Sequence, residues 1–152
     1  MTARWTDLEN SLQAQVATEP AFAFVEAVSR VGLVSPTDFP SALITVLAGK
    51  TINSRAIAGV RYSMKRIDFQ VLVSTRAGDS AGESRLATGG VWDLYDLLSA
   101  KLLGFVPTIT APTVAIWPVC DVDFYLDRLE PSAVDMNTLW TVDVEIQNPI
   151  VP

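Results

Sequence analysis

The stretch IDFQVLVSTRAGDSAGESRLATGGVWDLYDLLSAKLLGF, residues 67–105, holds the two most regular patterns in the chain and the irregular segment between them. Ile67, Phe69, Val71 and Val73 alternate with Asp68, Gln70, Leu72 and Ser74, the period of two expected of a strand. Val91, Leu94, Tyr95, Leu98 and Leu102 then recur at helical spacing. Asp93 and Asp96 favour the positive end of the helix dipole and Lys101 the negative end. Gly104 is placed for the left-handed position just past the helix, with Pro107 shortly after. Trp92, Leu97 and Leu103 lie off the main stripe, so the helix flank is expected to be covered as well, by the same chain or by a neighbour. The connection, 76–88, is about a dozen polar residues, and loops of that length in a compact domain are usually functional or mobile.

Within this connection GDSAG (78–82) fits G-x-S-x-G, the turn that presents a nucleophilic serine in hydrolases. The chain has no histidine, so a Ser-His-Asp arrangement around Ser80 cannot be built within it. An elbow also passes directly into a helix, whereas here ESRLATGG intervenes. A Ser-Lys dyad using Lys50, Lys65 or Lys101 has no local motif behind it. The segment reads as a polar connection whose Gly, Asp and Ser supply turn chemistry. Its expected work is contact with a neighbour rather than cleavage.

The flanking sequence extends the same fold. TDLE (6–9) has the capping-box pattern, and Leu8, Leu12 and Val16 form a narrow apolar stripe that predicts a helix ending at Glu19-Pro20. Asn10, Gln13 and Gln15 are expected on its wet face. AFAFVEAVSR (21–30) fits strand or helix, and Pro20 before it and the turn signal VSPTDFP favour a strand with Phe22, Phe24, Glu26 and Val28 on one face. ALITVLAG (42–49) reads as a central strand covered on both faces. KTINSRAIAGVR (50–61) is suited to the outer part of a long hairpin. TVAIWPV (113–119), VDFYLDRL (122–129) and LWTVDVEIQ (139–147) are strands, the last with Trp140, Val142, Val144 and Ile146 inward. The order is helix, strands, connection, helix, three strands. Strands dominate without alternating regularly with helices. The class is therefore α+β, a mainly antiparallel sheet packed by two principal helices in a single compact domain over 1–152. The Pro-containing tail at 148–152 is expected to be extended.

Composition narrows the function. The 152 residues are 49% hydrophobic and 18% charged, the profile of a folded domain. No apolar run reaches the roughly 18–20 residues that span a bilayer. MTARWTDLENSLQ lacks an apolar secretory region, and the single cysteine, Cys120 in AIWPVC, reads as a small core residue. Both suit synthesis in a reducing cytoplasm. The net charge of −6 argues against general nucleic-acid binding. Charge is unevenly spread: residues 106–152 hold seven acids and only Arg128, while 50–85 hold seven bases and three acids. One reading is an ordinary mixed surface. The other is a head-to-tail contact between the basic middle of one copy and the acidic third of the next, which closes into a ring when the rotation allows.

No catalytic or cofactor chemistry emerges. One cysteine and no histidine leave the usual zinc sites unbuilt. Asp121 and Asp123 are two apart on a strand and expected on one exposed face. Gly78, Gly82, Gly89 and Gly90 match neither phosphate-cradling pattern. No cofactor, no metal and no enzyme activity are expected. The candidate contact residues for assembly are Arg76, Asp79, Glu83, Arg85, Trp92, Asp121, Asp123 and Asp127.

Four stretches together resemble the tail terminators of Mu-like phages: TDLENSLQAQV with the strand after it, FPSALITVLAG, FQVLVSTRA leading through the Gly-rich connection into GGVWDLYDLLSAKLLGF, and WTVDVEI. They span most of the chain, while 50–66 and the tail have no counterpart. The resemblance implies a structural virion protein that forms a ring, usually a hexamer, on the finished tail tube. Such a ring stops tube polymerisation and meets the head connector and, in contractile tails, the last sheath ring. DNA would pass an acidic lumen without specific binding. The alternatives are another neck or tail-completion (connector) subunit, and a small hydrolase using Ser80.

Overall fold

Three long strands carry the architecture. The computed structural model describes residues 3–27, 36–76, 90–109, 113–130 and 133–148. The sheet comprises β1 (Phe24–Ala27), β2 (Ser41–Ile57), β3 (Val60–Arg76), β4 (Thr113–Ile116), β5 (Cys120–Glu130) and β6 (Ala133–Asn148), in the order β1-β2-β3-β6-β4, with β5 also on β6. Helices α1 (Ala3–Ala17) and α2 (Val91–Leu102) complete the fold. The class is the α+β, mainly antiparallel one that the sequence implies.

β2 and β3 form a hairpin from Ser41↔Ser74 to Ile57↔Val60. Its two-residue turn, Ala58-Gly59, has φ of 49° and 81°, the pair of positive values that matches the twist of the flanking strands. β3 then pairs with β6 from Arg76↔Ala133 to Arg61↔Asn148. Among the described strands β1 is the one that pairs in parallel, set against the first four residues of β2.

Alternation decides which face is buried. Ile67, Phe69, Val71 and Val73 of β3 join Met136, Trp140, Val142, Val144 and Ile146 of β6 in one core with Leu8, Leu12 and Val16 of α1 and Val91, Leu94, Leu98 and Leu102 of α2. Burying each such side chain stabilises by about 1.5–3 kcal/mol. Trp140 is the largest fully buried residue. Its Nε1 donates to Thr138 Oγ1 at 2.8 Å, and that hydroxyl donates to Val71 O at 2.8 Å, so no polar atom of this pair is stranded in the core.

Several local expectations are corrected. α1 begins at Ala3, so Thr6 lies inside the helix; Trp5 packs against the core and extends the helix ahead of the capping-box pattern. The helix also stops at Ala17, short of Glu19-Pro20. Gln13 and Gln15 are half-buried, not wet. Gln13 Nε2 donates to Val25 O, and Gln15 Nε2 donates to Lys101 O at 2.8 Å, satisfying a carbonyl that the end of α2 leaves open. Asn10 is exposed as expected. Only residues 41–44 of β2 are buried, and Leu47 is 51% exposed, because the strand outruns α1 and β1, which cover its start. Of the described residues 21–27, the strand comprises Phe24–Ala27, with all four residues half-buried rather than alternating; Val28 and the rest of 28–30 lie outside the described residues.

The expected strand over 113–119 is also divided. β4 ends at Ile116, and β5 continues along the same edge of β6 from Cys120. Between them Pro118, with no N–H to donate, breaks the ladder. Val119 turns inward there: its N–H donates to Phe105 O at 2.8 Å and its carbonyl accepts from Gly104 N at 3.0 Å. Gly104 has φ +80°, the left-handed conformation read from its place after α2. One excursion therefore closes the helix and breaks the strand.

Candidate assembly surface

Charge is sorted along the sheet by register. Arg66 faces Asp143 across the β3–β6 ladder, with Nε and Nη2 donating to the two carboxylate oxygens at 2.9 and 3.0 Å. This bond first, and the charge of Asp143 second, raise the Arg66 pKa above its already high ordinary value. Arg55 of β2 reaches across to Glu145 at 2.8 Å and lies 5.0 Å over the Tyr62 ring. Arg76 Nη1 donates to Asp135 Oδ1 at 2.7 Å, with its guanidinium 4.8 Å over the Phe39 ring. Arg128 lies 3.8 Å from Asp135. Partly exposed pairs of this kind are worth about 0–1 kcal/mol each.

These pairs change the head-to-tail expectation. Three bases of the middle region are matched by three C-terminal acids within one chain. Of the seven acids in 106–152, those left without a base among the described residues are Asp121, Asp123, Asp127 and Glu130, all exposed on β5. Of the bases, Lys50 and Arg61 are exposed, and Lys65 Nζ donates to Thr51 Oγ1, a neutral hydroxyl. What is left of the basic middle thus lies on the outer β2–β3 hairpin, and what is left of the acidic C-terminal third on β5.

The eight candidate residues fare differently. Asp121, Asp123 and Asp127 lie together on β5, but Asp121 and Asp123 do not share a face. A bulge lets them pair with the consecutive residues Trp140 and Leu139, whose side chains leave opposite faces of β6. Arg76 is committed to Asp135 and Phe39. Trp92 is half-buried, its ring meeting Phe124 edge-on at 5.9 Å, while Tyr95 lies 4.6 Å from the same ring. The flank of α2 is therefore covered at Trp92 by β5 of the same chain, whereas Leu97 and Leu103 are exposed. Asp79, Glu83 and Arg85 lie outside the described residues, as do Ser80, the rest of 77–89 and the tail at 149–152.

Cys120 is exposed rather than buried. Its apolar neighbours suggested a core position, but Pro118 breaks the strand and, of the residues after it, Val119 turns inward while Cys120 does not. Sequence reasoning also missed the apolar character of the surface. Val122, Phe124, Tyr125 and Leu129 are exposed along β5, and Trp117 just before it. Leu47 and Ile57 are exposed on the outer β2 segment. The available signal was VDFYLDRL itself, which is too apolar for a solvated strand and too acidic for a buried one. Among the described residues no group of three or more His, Cys, Asp or Glu side chains could hold a metal ion, and no helix is long and apolar enough to cross a membrane.

No protein-family model and no curated protein matches the chain. Among solved structures its fold is similar to that of a chain from the virion of a native gene transfer agent (GTA) particle. The TM-score is 0.56 at 15% sequence identity, covering 95% of this chain and 99% of that one. At this identity the similarity is one of fold, and it extends over nearly the whole of both chains.

Proposed function

We propose that this chain is a structural protein of a phage-type virion, a tail terminator that forms a ring on the end of the tail tube. The observation that carries the reading is the end-to-end similarity of fold to a chain from a gene transfer agent virion. The surface supports it: exposed apolar and charged residues lie along strand edges, as an assembling subunit requires. In this reading the ring, a hexamer in the resembling family, stops tube growth and meets the head connector, with the sheath beside it in a contractile tail. DNA crosses the lumen without specific contacts, and the protein works by binding, with no catalytic step. The chain is made in the host cytoplasm and ends in the virion.

Electron microscopy of particles bearing a labelled copy tests the position. The label is expected at the head-proximal end of the tail, and loss of the gene is expected to give tubes of unregulated length that fail to join heads. Label at another neck or completion site, with tube length unchanged, overturns the terminator role in favour of a connector subunit. Hydrolysis by Ser80 is tested separately: ester hydrolysis lost specifically in Ser80→Ala overturns the non-enzymatic reading.

A further inference from the structure

We infer that copies of this chain join head to tail by strand addition, the acidic edge strand β5 of one copy lying against the outer β2 segment, residues 47–57, of the next. The inference deepens the ring reading above and rests on it for closure. The geometry comes from the two edges of the sheet. β5 pairs only with β6, and the β2 edge facing away from β3 is covered by β1 only along residues 41–44. Each copy thus carries two strand edges with no partner among the described residues. They lie at opposite corners of the sheet: β5 flanks the β6 residues 133–141, whereas the outer hairpin reaches Asn148. The exposed part of the uncovered β2 edge, 47–57, spans 11 residues, as does β5. At about 3.3 Å per residue each runs some 36 Å.

Charge chooses between the ways these edges could meet. Residues 47–66 carry five bases and no acid. Arg55 and Arg66 are matched by Glu145 and Asp143, which leaves Lys50, Arg61 and Lys65. β5 carries Asp121, Asp123, Asp127 and Glu130, and its one base, Arg128, lies by Asp135. Two β5 strands set edge to edge would oppose carboxylate to carboxylate, which is destabilising. Two outer hairpins would oppose cation to cation. β5 against 47–57 relieves both and also covers exposed apolar groups, Val122, Tyr125 and Leu129 on one side and Leu47 and Ile57 on the other. The same carboxylates that deter aggregation at an open edge make this edge selective for a basic partner. A contact of one corner with the other is heterologous, the type that builds rings.

Charge exchange tests the contact, read as mass in solution at low salt. The triple variant Asp121→Lys, Asp123→Lys, Asp127→Lys is expected to stay monomeric where the unaltered chain assembles. The triple variant Lys50→Glu, Arg61→Glu, Lys65→Glu is expected to do the same. All six changes in one chain, or a mixture of the two triple variants, are expected to restore assembly, because each then presents opposite charges at the joint. Restoration excludes misfolding as the cause of the single losses. A second readout uses Cys120, exposed at the start of β5: oxidation should link it to a cysteine placed in turn along 47–57 of another copy. If the unaltered chain assembles and both triple variants assemble equally well, the strand contact is wrong while the ring reading stands. An unaltered chain that remains monomeric up to millimolar concentration also overturns the contact, and the label on the tail then decides the function independently.

Discussion

Residues 41–44 and 47–57 belong to one strand and pair with one partner strand, yet the first group is buried and the second is almost wholly exposed. The ladder is shared, so hydrogen bonding does not distinguish them. What differs is the cover, since α1 and β1 reach only the start of β2. The outer hairpin persists as a strand pair because its backbone groups are satisfied by β3, and β3's by β6 as far as Asn148. The body therefore draws its stability from apolar burial. The arm is held by the sheet and has its side chains available for other work.

Substitutions can break this comparison, beginning with the body. Trp140→Ala removes the largest buried side chain and is expected to cost about 3–5 kcal/mol in denaturant unfolding. A loss below 1 kcal/mol would mean that the helix-covered face is not the core. Thr138→Val keeps the shape but leaves Trp140 Nε1 and Val71 O without the hydroxyl between them. A cost of about 1–3 kcal/mol is expected, with Thr138→Ser largely restoring stability. The arm defines the small end of the scale. Ile57→Ala, at a residue 54% exposed, is expected to change stability by less than about 0.5 kcal/mol. Its thermal midpoint should match that of the unaltered monomer, and a drop comparable with that of Trp140→Ala would show that the arm is part of the body's cooperative unit.

Much of the fold was legible because periodicity reports burial directly. The alternation from Ile67 to Val73 and from Trp140 to Ile146, and the helical stripe from Val91 to Leu102, each became the buried face they implied. Gly104 was legible because few residues other than glycine tolerate φ +80°. The errors share a cause. ALITVLAG and AIWPVC are apolar runs, and a run does not state how far the cover extends. Leu47 and Cys120 consequently emerged in solvent. Asp121 and Asp123 were placed on one face by counting in twos, which a bulge invalidates.

The candidate assembly surface was legible only as a total. The acidic excess of residues 106–152 and the basic excess of 50–85 are countable in the chain. Counting could not reveal that β3 and β6 are neighbours in register, so that Arg66 meets Asp143 and Arg76 meets Asp135 within one molecule. Nor could it reveal that the unmatched acids of the C-terminal third share one edge strand with exposed Val122, Tyr125 and Leu129. By itself the sequence determined the buried faces of α1, α2, β3 and the second half of β6, because local periodicity and the transfer of apolar groups from water act on neighbours in the chain. The tertiary structure alone decided which charges are spent on partners within the chain and which stand at its edges, because ion pairing acts through space between strands far apart in sequence.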